Sequence, residues 1–360
     1  MLNNQATVLI VGIANPNKYP HLERHANSLL TKYSKVKVLC VGKQEEMPTR
    51  PNIEFICAIE LMPQGISGFY KVMRSFYKKI KAISPDVVEA IDPPALAPAA
   101  LAKKKGRDFH LVYMSMEHYT EQFHIKNSFK RFVLWSQIES SALKYADKCA
   151  TVSAGIANLL QKKYNKNFEL IRNLPPQKQG LKKSTKFQKR IVYHGLMEPG
   201  RGLEELCAAL SMSSWKLTIV GGGPLLDVLR NKYSNSIEFT GWLEYDESLK
   251  KICESDVGAV FIEGISLSLK HCLPGKLFEY AQLGLPVLVS DLPEIKEMVN
   301  NYKIGEVTKF NKESIFEALK SFEDGISKNI YDKGLERAKN ELCWEREEEN
   351  FLNLFSIEST

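Results

Sequence analysis

Residues 7–14, TVLIVGIA, form an unbroken apolar run that stops at Asn15 and Pro16. A strand with one wet face alternates apolar and polar side chains, so a run that is apolar throughout predicts a strand covered on both faces. That is the environment of a parallel sheet packed between helices. Leu22, His25, Ala26, Leu29 and Leu30 then recur at helical spacing, and Val36–Val41 is a second apolar run. Strand, helix and strand within about 35 residues make a βαβ unit, whose loops beyond the carboxyl ends of the strands are the usual site edge. Gly12 has no partner glycines, so the first turn lacks the G-x-G-x-x-G pattern and no nicotinamide or flavin cofactor is expected.

The same alternation continues. Asp86–Ile91 runs into Asp92, Pro93 and Pro94, and His110–Met114 runs into Ser115, Met116, Glu117, His118 and Tyr119. Residues 177–189 (QKQGLKKSTKFQK) lose apolar periodicity and are rich in Lys, Gln and Ser, as in a linker. Strands then restart at Arg190–His194, Trp215–Val220, Ser255–Ile262 and Pro286–Ser290. A chain of 360 residues is long enough for two cores, so we expect domains at 1–176 and 190–339 with a polar tail over 340–360.

The formal net charge of +7 suits an anionic partner such as a nucleotide, a phosphorylated lipid or a membrane face. Zinc spacings, RNP-like aromatics and Arg-rich blocks are missing, so no nucleic acid is expected. The seven cysteines are scattered with no C-x-x-C, which predicts reduced thiols and a cytoplasmic setting. No apolar run approaches the ~18 residues of a membrane span, and the apolar start lacks a basic leader region, so it reads as a buried strand. Segment 69–83 (FYKVMRSFYKKIKAI) carries Phe69, Val72, Met73, Phe76, Ile80 and Ile83 along one side and Lys71, Arg74, Lys78, Lys79 and Lys81 elsewhere. It reads either as a core helix with solvated lysines or as a basic helix on the inner face of an anionic membrane. Phe129–Trp135 (FKRFVLW) is a second aromatic and basic stretch.

The chemistry is densest in residues 274–299, PGKLFEYAQLGLPVLVSDLPEIKEMV. They predict a Pro-Gly turn, a helix over Lys276–Leu283, a stop at Gly284, a strand to Ser290 and a helix opened by Asp291 and Pro293. Lys276 and Glu279 fall three apart, on one side of the helix's first turn, where free N–H groups favour an anion. A cation with N–H donors suits a diphosphate, and a carboxylate suits sugar hydroxyls. The bland alternative is a solvated i,i+3 salt bridge. Upstream, Gly195 and the run Pro199, Gly200, Arg201, Gly202 form a glycine-rich strand-to-helix turn with a cation at the helix start. Gly221, Gly222 and Gly223 follow another strand, with Phe239, Thr240, Gly241 and Trp242 beyond.

Pro274, Lys276, Glu279, Tyr280, Gly284, Pro286 and Val287 match in order and spacing P-x-K-x-x-E-Y-x-x-x-G-x-P-V. The segment thereby resembles the donor-nucleotide segment of the retaining GT-B glycosyltransferases of family 4. The stretches PDVVEAIDPPALAPAALAKKKG, LVYMSMEHYTE, ESSALKYADKCATVSAGIANLL and IRNLPP resemble the family's acceptor half in the same order. The resemblance implies an α/β fold of two doubly wound Rossmann-like domains facing a cleft, with the acceptor on the first and the nucleotide sugar on the second. It also implies that the tail packs back on the first domain. It gives Lys276 and Arg201 the donor diphosphate, Glu279 the ribose and Trp242 the base, with Gly195, Gly202, Gly222, Gly223, Leu277 and His271 lining the donor. His271 stands where the family often has a glutamate, Leu196 where it often has an arginine, and Glu89 and Met116 where it often has histidines. Glu117 is retained, and His118 beside it makes an acid–base candidate.

The expectation is a metal-independent transferase, since no D-x-D occurs. It would move a hexose from UDP- or GDP-hexose to a hydroxyl of a glycan or lipid-linked polysaccharide precursor, with retention and with no cofactor. The competing readings are a degenerate transferase serving as a partner subunit, motivated by the four departures, and a sugar-nucleotide 2-epimerase.

Overall fold

A computed structural model describes residues 6–17, 19–178, 180 and 186–356. Of the expected linker, residues 179 and 181–185 lie outside the described residues, as do 357–360 of the expected tail. The chain divides into two compact units, Met1–Arg172 with Glu348–Thr360, and Asn173–Glu347.

The first unit contains β1 (Val8–Val11), β2 (Val36–Val41), β3 (Ile53–Ile59), β4 (Val87–Ile91), β5 (His110–Ser115), β6 (Lys148–Thr151) and β7 (Glu169–Leu170). They form one seven-stranded sheet in the order β3-β2-β1-β4-β5-β6-β7, every pair parallel. All residues of β1 are buried, as its apolar run requires. Winding runs outward in one direction through β2 and β3 and in the other through β4 to β7, so the sheet reverses between β1 and β4. Ligand crevices of open α/β sheets form at the carboxyl end of such a reversal.

The helix predicted at 69–83 starts earlier and spans Gly65–Ile83. Val72, Phe76 and Ile80, four residues apart, are buried, each contributing about 1.5–3 kcal/mol. Ser84 ends the helix in the left-handed conformation. Its first turns do not share that burial: Phe69 and Met73 pack on a separate small cluster of Tyr119, Ile125 and Trp135, while Ile66 and Tyr70 remain exposed. Periodicity alone does not distinguish the two halves.

Helix Trp344–Asn353 contributes its second half to the first unit. Ser28 Oγ donates to Glu348 Oε1 at 2.6 Å, and the buried Phe351 ring lies 4.4 Å from the His25 ring. His25 Nδ1 in turn meets Glu89 Oε1 at 2.7 Å, both side chains sealed from solvent. Glu89, on β4, thus ties helix His21–Leu29 to the sheet.

The second unit contains β8 (Arg190–His194), β9 (Lys216–Val220), β10 (Ile237–Gly241), β11 (Val257–Val260), β12 (Val287–Ser290) and β13 (Gly305–Thr308). The six-stranded sheet runs β10-β9-β8-β11-β12-β13, again all parallel. Its reversal lies between β8 and β11. The helix expected at Lys276–Leu283 spans Gly275–Gln282, and Gly284 follows at φ +72°, a left-handed stop that glycine takes without strain.

Candidate active site

The second unit gathers its polar groups at the β8/β11 reversal. β8 ends at His194, and Gly195 turns away at φ +124°. With no side chain, Gly195 lets the Lys276 amine approach: a Cβ there would stand 3.4 Å from Nζ. Lys276 Nζ lies over the Tyr193 ring, 3.7 Å from its centroid. Loss of solvent around the amine, reinforced by the Arg201 guanidinium, pulls the lysine down to about 7. Arg201 donates from Nε and Nη2 to Glu198 Oε1 at 3.0 and 2.6 Å. Gly202, at φ +60°, begins helix Leu203–Leu210, and a Cβ there would strike the Phe310 ring.

Glu279 sits one turn beyond Lys276, its Oε2 3.4 Å from His194 Nε2. Burial holds His194 below the usual histidine range, Glu279 opposing the shift, and its Nδ1 is buried without a partner. The Tyr280 hydroxyl accepts from His194 N–H at 3.0 Å and donates to Val192 O at 3.3 Å, which fixes the helix against β8. Leu277 points into the core.

The glycines after β9 close the other side. A Cβ on Gly221 would lie 2.1 Å from Gly195 O, and one on Gly223 2.4 Å from Met197 O, so both loops need glycine to pass each other. Gly222 lies against the Trp242 indole, whose Nε1 a Cβ would meet at 2.6 Å; that indole is 68% exposed. His271 Nδ1 pairs with Glu294 Oε1 at 3.3 Å. Carboxylates of Glu204, Glu205 and Glu263 lie within 4.8 Å of one another and are the one cation-binding grouping among the described residues. Exposed acidic clusters of that kind are common without an ion.

In the first unit the β1/β4 reversal carries Asp92, directly after β4. Its backbone stands at φ 62°, ψ 163°, a region that costs a residue with a side chain ~1–3 kcal/mol. Asp92 Oδ1 accepts from Met116 N–H at 2.9 Å and Asp92 N–H donates to Met114 O at 2.9 Å, so this residue joins the ends of β4 and β5. Burial pushes the carboxyl up to about 8. Glu117 is exposed, with Gln122 Nε2 donating to its Oε2 at 2.9 Å, whereas the His118 ring is buried.

Residues 188–322 match the family described as Glycosyl transferases group 1, and residues 21–175 match Glycosyltransferase Family 4. The chain belongs to these group 1, family 4 glycosyltransferases. The solved structures it resembles agree on the fold. Sucrose-phosphate synthase from Thermosynechococcus elongatus superposes with TM-score 0.79 at 13% identity, covering 98% of both chains. HepE of Anabaena in complex with UDP-glucose gives 0.72 at 12% identity over 98% of this chain and 99% of that one. WaaG, a glycosyltransferase involved in lipopolysaccharide biosynthesis, gives 0.70 at 14% identity over 97% and 100%. The fold is therefore GT-B. A sequence search of curated proteins returns no match.

In this glycosyltransferase Lys276, Gly195, Arg201 and Glu279 stand around the end of β8, and Gly222 and Trp242 meet beside it, whereas His271 is turned to Glu294. The role of His194 escaped the sequence reading. His194 ends an apolar strand and gives no motif of its own, although the histidine just before Gly195 was a usable cue. Asp92 had a cue in the Asp-Pro-Pro turn, but its strained backbone is invisible without coordinates.

Asp92 gives a stability prediction. Its folded value lies above that of an unfolded aspartate, so the stability it contributes is present below about pH 4 and is lost as pH rises through about 8. Asp92→Asn keeps an acceptor for Met116, tolerates positive φ and stays uncharged. Its melting temperature is expected to match the wild type near pH 4 and to exceed it near pH 8 by the equivalent of roughly 5 kcal/mol. A difference that stays constant across that range would mean that Asp92 ionises normally.

Proposed function

We propose that this glycosyltransferase moves a hexose from a nucleotide-diphosphate sugar to a hydroxyl acceptor, with retention of configuration and without a divalent metal. The observation that carries the reading is the meeting of two cations, Lys276 and Arg201, at the sheet reversal, with one amine stripped of solvent far enough to reach about 7. A diphosphate adds negative charge beside Lys276, where Glu198 already holds Arg201. As the bond to the sugar breaks, negative charge builds on that leaving group, and fixed cations in a desolvated site stabilise it more than they stabilise the ground state.

Glu279, beside His194, accepts from ribose hydroxyls. Trp242 offers an exposed face for the base, and Gly195, Gly202, Gly222 and Gly223 give the phosphates room, whereas His271 would have to leave Glu294 to reach the donor sugar. On the acceptor side Glu117 and His118 are the acid–base candidates. UDP is the first donor nucleotide to try, because HepE was seen with UDP-glucose; GDP is the second. A glycan or lipid-linked precursor of a cell-surface polysaccharide is the acceptor class, by similarity to WaaG. A cytoplasmic enzyme resting on the inner membrane face would meet such an acceptor, and no helix among the described residues is long and apolar enough to cross a membrane.

Titration calorimetry with UDP and GDP tests the reading. One of them is expected to bind, and Glu279→Ala to weaken it by about 10–100-fold through loss of charge-assisted hydrogen bonds. A wild type that binds neither nucleotide would support the degenerate partner subunit instead. Product analysis with donor alone separates an epimerase, which would change the sugar at C2 without an acceptor.

A further inference from the structure

Cys40 on β2 and Cys57 on β3 are register partners in the parallel sheet of the first unit. Among the described residues no other two cysteines stand opposite each other across strands. Partnered strands lie about 4.7–4.9 Å apart, within the separation of about 4.4–6.8 Å between Cα atoms that a disulfide spans. The two side chains also share a face. Lys37 and Glu54, three positions earlier, meet at 3.3 Å on the other side of the sheet, so Cys40 and Cys57 stand with the buried Val38 and Phe55. Both are free thiols, Cys40 buried and Cys57 half-buried. Because β3 is the edge strand, Cys57 is the thiol a solute reaches first.

A buried free cysteine is by itself a small apolar packing group. This pair does more, because both sulfurs touch the same loop. Cys57 Sγ donates to Gly42 O, and Cys40 Sγ lies 3.5 Å from Met47 Sδ. Within that loop Gln44 clasps the edge strand around Cys57, its Nε2 donating to Phe55 O at 2.9 Å and its Oε1 accepting from Cys57 N–H at 2.8 Å. The loop also meets the segment that follows β1: Asn17 Nδ2 donates to Glu46 O at 2.7 Å, and a Cβ on Gly42 would stand 3.0 Å from Asn15 Nδ2. The thiols thus support a loop at the carboxyl edge of the sheet. We propose that Cys40 and Cys57 are a redox site, which a low-molecular-weight disulfide oxidises to a Cys40–Cys57 bridge that frees residues 42–47. Cys57, after losing its proton to water, attacks one sulfur of the reagent and expels one thiolate, which takes up a proton. Cys40 then loses its proton, attacks the Cys57 sulfur of the mixed disulfide and expels the second thiol. The protein gives up two electrons and two protons, and one disulfide becomes two thiols. Burial pushes Cys40 up to about 12 and raises Cys57, so the folded protein reacts more slowly than an exposed thiol would. A part-exposed bridge at a sheet edge is of the labile kind, and reduced thiol reverses it. The assignment is independent of the donor site.

Incubation of the full chain with oxidised glutathione, then digestion without reductant and mass spectrometry, tests it. The peptides holding Cys40 and Cys57 are expected to be joined to each other and to separate when reduced glutathione is returned in excess. Amide hydrogen exchange at Glu46 and Met47, which bond Lys43 O and Gln44 O at 3.1 and 3.3 Å in the reduced protein, is expected to quicken at least about tenfold in the bridged form. Cys57→Ser keeps a donor for Gly42 O, so it should form no bridge and should exchange at the reduced wild-type rate with or without oxidised glutathione. Neither wild-type measurement depends on that variant. Glutathione left on Cys57 with no bridge, a bridge to another cysteine, a bridge that forms only in urea, or unchanged exchange in the bridged protein would overturn the proposal.

Discussion

Replacing Lys276 by methionine is expected to weaken binding of a nucleoside diphosphate by about one to three orders of magnitude while making the free protein more stable. Lys276 is pulled down to about 7 by burial and by Arg201. An unfolded lysine titrates near 10.4. The native state therefore releases a proton that the unfolded chain keeps. The resulting penalty is full below about pH 7 and fades as pH rises towards the unfolded value. Methionine retains an apolar stem over Tyr193 and carries no charge, so it removes the penalty at the loss of one cation–π contact, itself worth about 0.5–2 kcal/mol. Near pH 6 the variant should gain on the order of 2.5–4 kcal/mol, read as a rise in melting temperature.

Binding moves the other way. A lost charge-assisted contact to phosphate is worth roughly 2–4 kcal/mol, or about 30–1,000-fold in Kd. A companion effect tests the same charge in the wild type. A bound diphosphate restores the proton to Lys276, so affinity should fall as pH rises above about 7, and binding near pH 8 should take up protons. Calorimetry in buffers of different ionisation heat measures that uptake. Wild-type affinity in Lys276→Met, or a lower melting temperature in the free variant, would remove Lys276 from the proposed role.

The second large effect is at Gly258, remote from the charges. A Cβ on this β11 residue would lie 2.3 Å from Tyr280 Cδ2, so Gly258→Ala cannot be absorbed without moving the ring. The ring has little freedom, because its hydroxyl is bound to both His194 N–H and Val192 O. The overlap must then displace helix Gly275–Gln282, which carries Lys276 and Glu279. Overpacking costs about 1–3 kcal/mol and a lost buried hydrogen bond about 0.5–1.5, so urea unfolding should show a loss of roughly 2–4 kcal/mol. Nucleotide affinity should drop at least about tenfold, since a misplacement of order 1 Å is enough to weaken a positioned contact. Adding Tyr280→Leu to Gly258→Ala should return much of the stability, by relieving the overlap, but little of the affinity, because His194 stays unanchored. Recovery of both together would show that Tyr280 only fills space.

Much of the fold was legible because local pattern reports burial. The unbroken run at 7–14 became β1 with every residue covered, and the apolar stretches after Arg190 became the second parallel sheet. The helix at 276–283 was displaced by a single residue, since the Pro-Gly turn and Gly284 bracket it chemically. The helix at 69–83 was read less completely. Its C-terminal half packs in the main core while its first turns leave Ile66 and Tyr70 outside, and an amphipathic period describes both halves equally well.

Spacing within one segment was therefore enough to put Lys276 and Glu279 on one side of a helix, and turn chemistry was enough to mark Gly195, Arg201 and Gly202 as a glycine-rich strand-to-helix turn. Tertiary structure alone decided that His194 would face Glu279, that His25 would meet Glu89 across 64 residues of chain, and that Gly258 would be the hollow for Tyr280. Such pairings depend on strand order. The physical reason is that helical and strand periods act over a few residues, whereas the neighbours of a side chain at a sheet reversal are set by which distant strands lie side by side.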